Sequence, residues 1–220
     1  MNPHQIAQID CEIATVSIGE WPLKFWRPLR AEAYILNTAE EDFGGDERLP
    51  YWAMLWPASI ALAQHLIESQ HLKGKSLLEL GAGLGLPGLA AAHAGAEVTL
   101  TDWYAEALEF AKASAELNSL TVKGIFLDWR YPPTEPKFDC IACADLLYER
   151  RNHAPILDTM SKLLAPNGTV FFSDPERHMS PAFFELAREN GWETHTLKRT
   201  VHWEGADFQV DCWELRRSVG

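Results

Sequence analysis

After residue 74, short apolar runs alternate with longer stretches whose apolar residues recur at helical spacing. SLLELG (76–81), AEVTLTD (96–102), VKGIFLD (122–128), KFDCIACAD (137–145) and TVFFSD (169–174) predict strands, the third weakened by Gly124. Between them, LPGLAAAHAG (86–95) has helix-forming composition and stops at Gly95. YAEALEFAKASAELNSL (104–120) places apolar residues at 107, 108, 111 and 115, close to the helical period. HAPILDTMSKLLAPNG (153–168) predicts a helix with an Asn-Gly stop, and SPAFFELARENG (180–191) a further helix. WETHTLKRTVHW (192–203) and DFQVDCWELRR (207–217) alternate without a helix between them, so they should pair antiparallel. This order predicts an α/β fold of βαβ units with a parallel sheet covered on both faces and an antiparallel hairpin at its end. Ligands of such sheets sit outside the carboxyl ends of the strands, so those ends should carry the chemistry.

The first 50 residues follow another pattern. IDCEIATVSIGEW and AEAYILNTA suggest a pair of strands joined through Pro22 and Pro28, and EEDFGGDERLP (40–50) predicts an acidic, glycine-containing loop. PYWAMLWPASIALAQHL (50–66) runs from an aromatic segment into a helix beginning near Pro57 or Ala58. With no internal repeat and no low-complexity linker, residues 1–49 read as an N-terminal β extension of the same domain as residues 50–220.

The chain's 220 residues suffice for one sizeable core, and 47% hydrophobic with 23% charged residues fits a soluble globular protein. A formal net charge of −12 argues against a grip on nucleic acid, which needs a basic face. MNPHQIAQID lacks the basic start and apolar run of a signal peptide, and no stretch has the length of a membrane span, so no membrane partner and a cytoplasmic location are expected. Cys140 and Cys143 have CxxC spacing, but inside a strand residues three apart face opposite ways. With no second pair to complete a zinc site, they are expected to be core thiols and no metal is expected.

The first strand runs into ELGAGLGLPG (79–88), where Gly81, Gly83 and Gly85 allow a tight turn and close approach of a ligand to bare backbone. Gly83, Gly85 and Gly88 also satisfy the dinucleotide pattern GxGxxG. Asp102, roughly 20 residues on, suits ribose hydroxyls in either a nicotinamide or a nucleoside site. Glu79 separates the two, because a carboxylate beside the turn would repel a pyrophosphate. S-adenosylmethionine has no phosphate and carries a cationic ammonium and sulfonium. An acid here then serves either by its charge or by orienting the turn amides. The third strand ends in Asp128-Trp129, an acceptor for an adenine amino group and an aromatic to cover the ring. The fourth ends in ADLLYER, an apolar run closed by Asp145 and, three residues later, Tyr148.

Together ELGAGLGLPG, LTD, LDW and ADLLY resemble the motif series of the class I, seven-strand methyltransferases. The Trp-Pro segment before a helix, with GLPGL and D-x-x-Y, resembles the lysine methyltransferase-like and nicotinamide N-methyltransferase-like subgroup, over about residues 50–175. The resemblance implies a Rossmann-like seven-stranded sheet, mostly parallel with a C-terminal antiparallel hairpin. It implies S-adenosyl-L-methionine as cofactor, held by Trp56, Glu79, Gly81, Gly83, Gly85, Asp102, Trp103, Asp128, Trp129 and Ala144. It implies Asp145 and Tyr148 as the catalytic pair, lining the channel where an amine meets the methyl group. Trp56 and Pro57 would border the methionine end, and Tyr51 and Trp52 could wall the channel. SDPERH (173–178) ends the fifth strand without an assigned role.

The expected activity is N-methyl transfer to a lysine amine of a protein. Small-molecule amine methylation, nicotinamide-dependent oxidoreduction and a catalytically silent binding module are the alternatives. Free lysine has a pKa of ~10.4, so the acceptor arrives protonated. Asp145 would attract and orient it, and a desolvated channel would favour loss of its proton to water.

Overall fold

The computed structural model describes residues 4–41, 49–69 and 71–218. The chain opens with three strands, β1 (His4–Ile6), β2 (Ile9–Ile18) and β3 (Trp21–Pro28), in an antiparallel sheet of that order. Helix α1 (Ala31–Glu41) follows. The expected strand at AEAYILNTA is therefore corrected to a helix, and the partner of β2 is the WPLKFW stretch, with Val16 opposite Leu23 and Ala14 opposite Phe25. Proline is tolerated in β3 because its outer edge pairs with no other strand. AEAYIL has no two-residue alternation, and alanine, leucine and glutamate are strong helix formers. Residues 42–48 of the expected acidic loop lie outside the described residues.

A 3-10 turn (Tyr51–Ala53) leads to α2 (Pro57–Glu68), which starts at proline as expected. Then come β4 (Ser76–Leu80), α3 (Leu86–His93), β5 (Glu97–Asp102), α4 (Ala105–Leu117), β6 (Val122–Phe126) and β7 (Phe138–Ala144). The chain finishes with α5 (His153–Leu163), β8 (Leu164–Asp174), α6 (Ser180–Glu189), β9 (Trp192–Trp203) and β10 (Ala206–Arg217). Helix α5 stops at Leu163, four residues before the expected Asn167-Gly168 stop. Pro166 pushes Ala165 to extended geometry, so LAPNG begins β8 instead of closing a helix.

The seven strands lie in the order β6-β5-β4-β7-β8-β10-β9. Neighbours from β6 to β8 are parallel, and β10 is antiparallel to both β8 and β9. This is the mostly parallel sheet with a terminal hairpin expected from the pattern. One face buries Leu78, Cys143, Met160, Phe172, Phe183 and Trp192, and the other buries Leu62, Leu77, Leu100, Ala111, Cys140 and Phe171. Cys140 and Cys143 are thus core thiols on opposite faces, each with its pKa raised by burial.

The N-terminal sheet packs its inward residues Val16, Ile18, Leu23 and Phe25 with Trp52, Ala58, Ala61 and Phe110. Side chains of α4 satisfy the outer edge of β3. Ser114 Oγ accepts from the Trp26 amide at 2.9 Å, and Asn118 bonds both the N–H and the C=O of Lys24. Among the described residues, no helix is long and apolar enough to cross a membrane.

Candidate functional site

A cavity of about 340 Å³ opens at the carboxyl ends of four adjacent strands, in the size range of small-molecule sites. Its floor is the turn Gly81–Gly85 after β4. Its sides are Asp102–Tyr104 after β5, Leu127–Arg130 after β6, and Ala144–Leu146 with Tyr148 and Glu149 after β7. Tyr51, Trp52, Met54, Leu55 and Trp56, from the segment before α2, close it from the N-terminal side.

The turn has its shape because two carboxylates hold its amides. Asp102 Oδ2 accepts from the Gly83 N–H and Oδ1 from the Tyr104 N–H, both at 2.9 Å. Asp102 is buried, and desolvation outweighs those bonds to push its pKa up to about 6. Glu79 Oε2 accepts from the Gly88 N–H at 2.8 Å in the first turn of α3. Gly81 has φ +60°, and a Cβ there would lie 2.7 Å from Leu146 Cδ2 and 3.2 Å from the Trp129 ring. Bare backbone is therefore required between the floor and the Trp129 wall.

Of the residues expected to hold a cofactor, Trp56, Gly81, Gly83, Gly85, Asp102, Trp103, Asp128, Trp129 and Ala144 all line this one cavity, as do Asp145 and Tyr148. Glu79 does not. It lies 1% exposed behind the turn, so of its two expected roles the geometry matches amide orientation. Trp52 lines the cavity as well, and its ring packs on Phe110 and Tyr34, which buttresses that side from the core. Tyr51 stands in edge-to-face contact with both Trp56 and Tyr148, at centroid distances of 6.0 and 5.6 Å. The Trp56 indole N–H donates to the Tyr51 carbonyl, which fixes this aromatic wall. Desolvation, with the nearby Glu149 charge, raises the Tyr148 phenol well above its ordinary pKa, so it stays neutral.

Two guanidiniums at the site escaped the sequence reading. Arg130 clasps Asp128 through Nε and Nη2 at 2.7–3.0 Å and lies over the Trp103 ring. Arg177, which is not among the lining residues, clasps Asp145. Arg130 follows Asp128 by two residues, a spacing that could have signalled the first pair, whereas Arg177 is 32 residues from Asp145 and left no such signal. Of the lining carboxylates, Asp128 pairs with Arg130, Glu149 with Arg151 and Asp145 with Arg177, and Asp102 is held by backbone amides.

Residues 45–190 match the model of a family described as lysine methyltransferase. Over 163 residues the chain is 32% identical to the mouse protein N-lysine methyltransferase METTL21A, covering 68% of this chain and 72% of that one. It is 34% identical over 130 residues to the mouse histone-arginine methyltransferase METTL23, covering 56% of this chain and only 51% of that relative, so the match spans about half of its length. Among solved structures, magnesium protoporphyrin IX methyltransferase from Synechocystis with bound SAM superposes with a TM-score of 0.59 at 17% identity, covering 72% of this chain and 77% of that one. At that identity the likeness speaks for the fold.

Proposed function

Because the chain belongs to the lysine methyltransferase family, we propose that it transfers a methyl group from S-adenosylmethionine to the side-chain amine of a lysine in a protein. The observation that carries this is one cavity at four strand ends, with a glycine floor, two buried carboxylates and an aromatic wall on its N-terminal side. The residues fit the donor. A Cβ at Gly81 would press on Leu146 and Trp129 in the cavity wall, so the floor offers bare backbone, and Asp102 offers a buried carboxylate to the ribose. When bound, the donor supplies an electrophilic methyl group carried on sulfur.

The chain's residues then supply position and a dry wall. Tyr51, Trp56 and Tyr148 line the cavity as an apolar aromatic wall that excludes water, and a ring face turned to a cation would attract it. Exclusion of water disfavours the charged form of a bound amine, so its proton is lost to solvent and the neutral lone pair is left to react. Neutral Tyr148 takes no part as a strong base. Orientation is the larger lever, since holding two reactants in line can supply roughly 7–11 kcal/mol. The four buried, unpaired cysteines support a reducing compartment, the cytoplasm.

The test is incubation with methyl-labelled donor and a lysate from cells lacking the gene, followed by hydrolysis to amino acids. Label in methyllysine is the expected result. Label confined to methylarginine would move the acceptor to a guanidinium, as the METTL23 relative's name describes for that protein. Label only in small amines would remove the protein substrate. Asp102 adds a pH dependence. Ribose hydroxyls donate to the ionised carboxylate, so donor affinity should fall as pH drops through about 6 and level off above it. Calorimetric titration across that range checks this, and a flat profile would take Asp102 out of the donor site.

A further inference from the structure

Asp145 stands where the acceptor amine was expected, yet its carboxylate is already engaged. Arg177 Nε donates to Oδ1 at 2.6 Å and Nη2 to Oδ2 at 3.0 Å, a two-point planar fork. Asp145 is 7% exposed and sits in the left-handed conformation at φ +56°, and its own N–H donates to the Ser173 carbonyl at 2.9 Å. Arg177 is anchored in turn, because its N–H donates to Asp174 Oδ1 at 2.8 Å at the buried end of β8. The ends of β7 and β8 are thus tied through one arginine, its guanidinium on Asp145 and its backbone N–H on Asp174, that lies outside the cavity lining. The turn that leaves Asp145 brings Tyr148 against Tyr51.

We propose that Arg177 is a positioning residue for methyl transfer. Its fork holds Asp145 in the left-handed conformation and so sets Tyr148 on the acceptor side of the cavity. A left-handed non-glycine residue is strained and persists where its surroundings over-determine it. Here the surroundings are the fork and the Ser173 carbonyl. The pair carries no net charge, so Asp145 is not the free anionic receptor for an ammonium that the sequence suggested. That correction removes a group that would have stabilised the protonated, unreactive acceptor. Lysine cannot replace the fork, because it offers a point charge without planar two-point geometry.

The proposal rests on the methyltransferase reading, and the experiment separates the two. Arg177→Lys and Arg177→Ala are compared with the unaltered protein for donor affinity, kcat and acceptor KM, with and without added guanidinium ion. Both variants should bind the donor within about threefold of the unaltered protein and lose at least about tenfold in kcat. Guanidinium should restore part of the Arg177→Ala loss. Full kcat in Arg177→Lys, or a donor affinity that falls in step with kcat, overturns the positioning role while the methyltransferase reading stands. Should the unaltered protein methylate nothing, that reading fails. The fork is then judged by the Arg177 Nε–H resonance in nitrogen-15 spectra. A slowly exchanging signal that disappears in Asp145→Asn upholds the clamp, and a fast-exchanging one overturns it.

Discussion

Replacing Gly83 by arginine should weaken donor binding by at least about 100-fold, or about 2.7 kcal/mol, while leaving the fold intact. Gly83 lies at φ +53° with the backbone of Trp52 3.6 Å from where a Cβ would stand. A side chain there has room to leave the turn, into the cavity where the donor is proposed to sit. The new guanidinium would lie beside Asp102, the carboxylate proposed to meet the ribose, and compete for it. It would also strain a left-handed residue whose amide donates to Asp102. Calorimetry with S-adenosylmethionine and S-adenosylhomocysteine reads the loss, and circular dichroism confirms folding. Unchanged affinity would mean that the glycine floor is not the donor's seat.

Glu79→Ala should cost roughly 3 kcal/mol of stability, and Glu79→Gln far less. The carboxyl is fully buried, and desolvation drives its pKa well above the ordinary carboxylate range, with Asp102 adding to the rise. Sign matters here. A carboxyl whose folded pKa is raised stabilises most at low pH and loses that contribution as pH climbs through the raised value. Glutamine keeps an oxygen for the Gly88 amide and carries no charge, so it should remove this loss at alkaline pH. Alanine leaves that amide unpaired beside a void. Urea unfolding of the three proteins at acid and alkaline pH checks the order. A glutamine variant as unstable as alanine would mean that Glu79 serves through its charge.

The parts of the site that were legible in the sequence belong to local strand–turn junctions. ELGAGLG, the acid closing β5 and the Asp-Trp after β6 each follow an apolar run whose end dictates where the side chains go, and parallel pairing brings those ends together. What stayed hidden depends on distance along the chain. Nothing in SDPERH announces that Arg177 meets Asp145, since the antiparallel hairpin and α6 decide where that loop lies. Glu79 shows the limit of reading charge from composition. Its position beside the turn was right, and only the direction of its carboxyl, toward α3, separates a support from a contact. AEAYILNTA is a helix and not the expected strand because the proline-bearing WPLKFW segment is itself the strand, and a sheet edge accepts its prolines.

The bonds from Ser114 and Asn118 to β3 join residues 88 and 94 positions apart. On the ribosome, β2 and β3 emerge long before the helix that covers them. At about 5–20 residues per second, Leu23 and Phe25 wait roughly 5–20 s for α4. Throughout that interval a nascent hairpin shows its greasy face to the cell, and holding chaperones have their longest opportunity there. Trp52 packs on Phe110 of that helix and its backbone abuts Gly83, so the glycine turn gains this support only after α4 has been made.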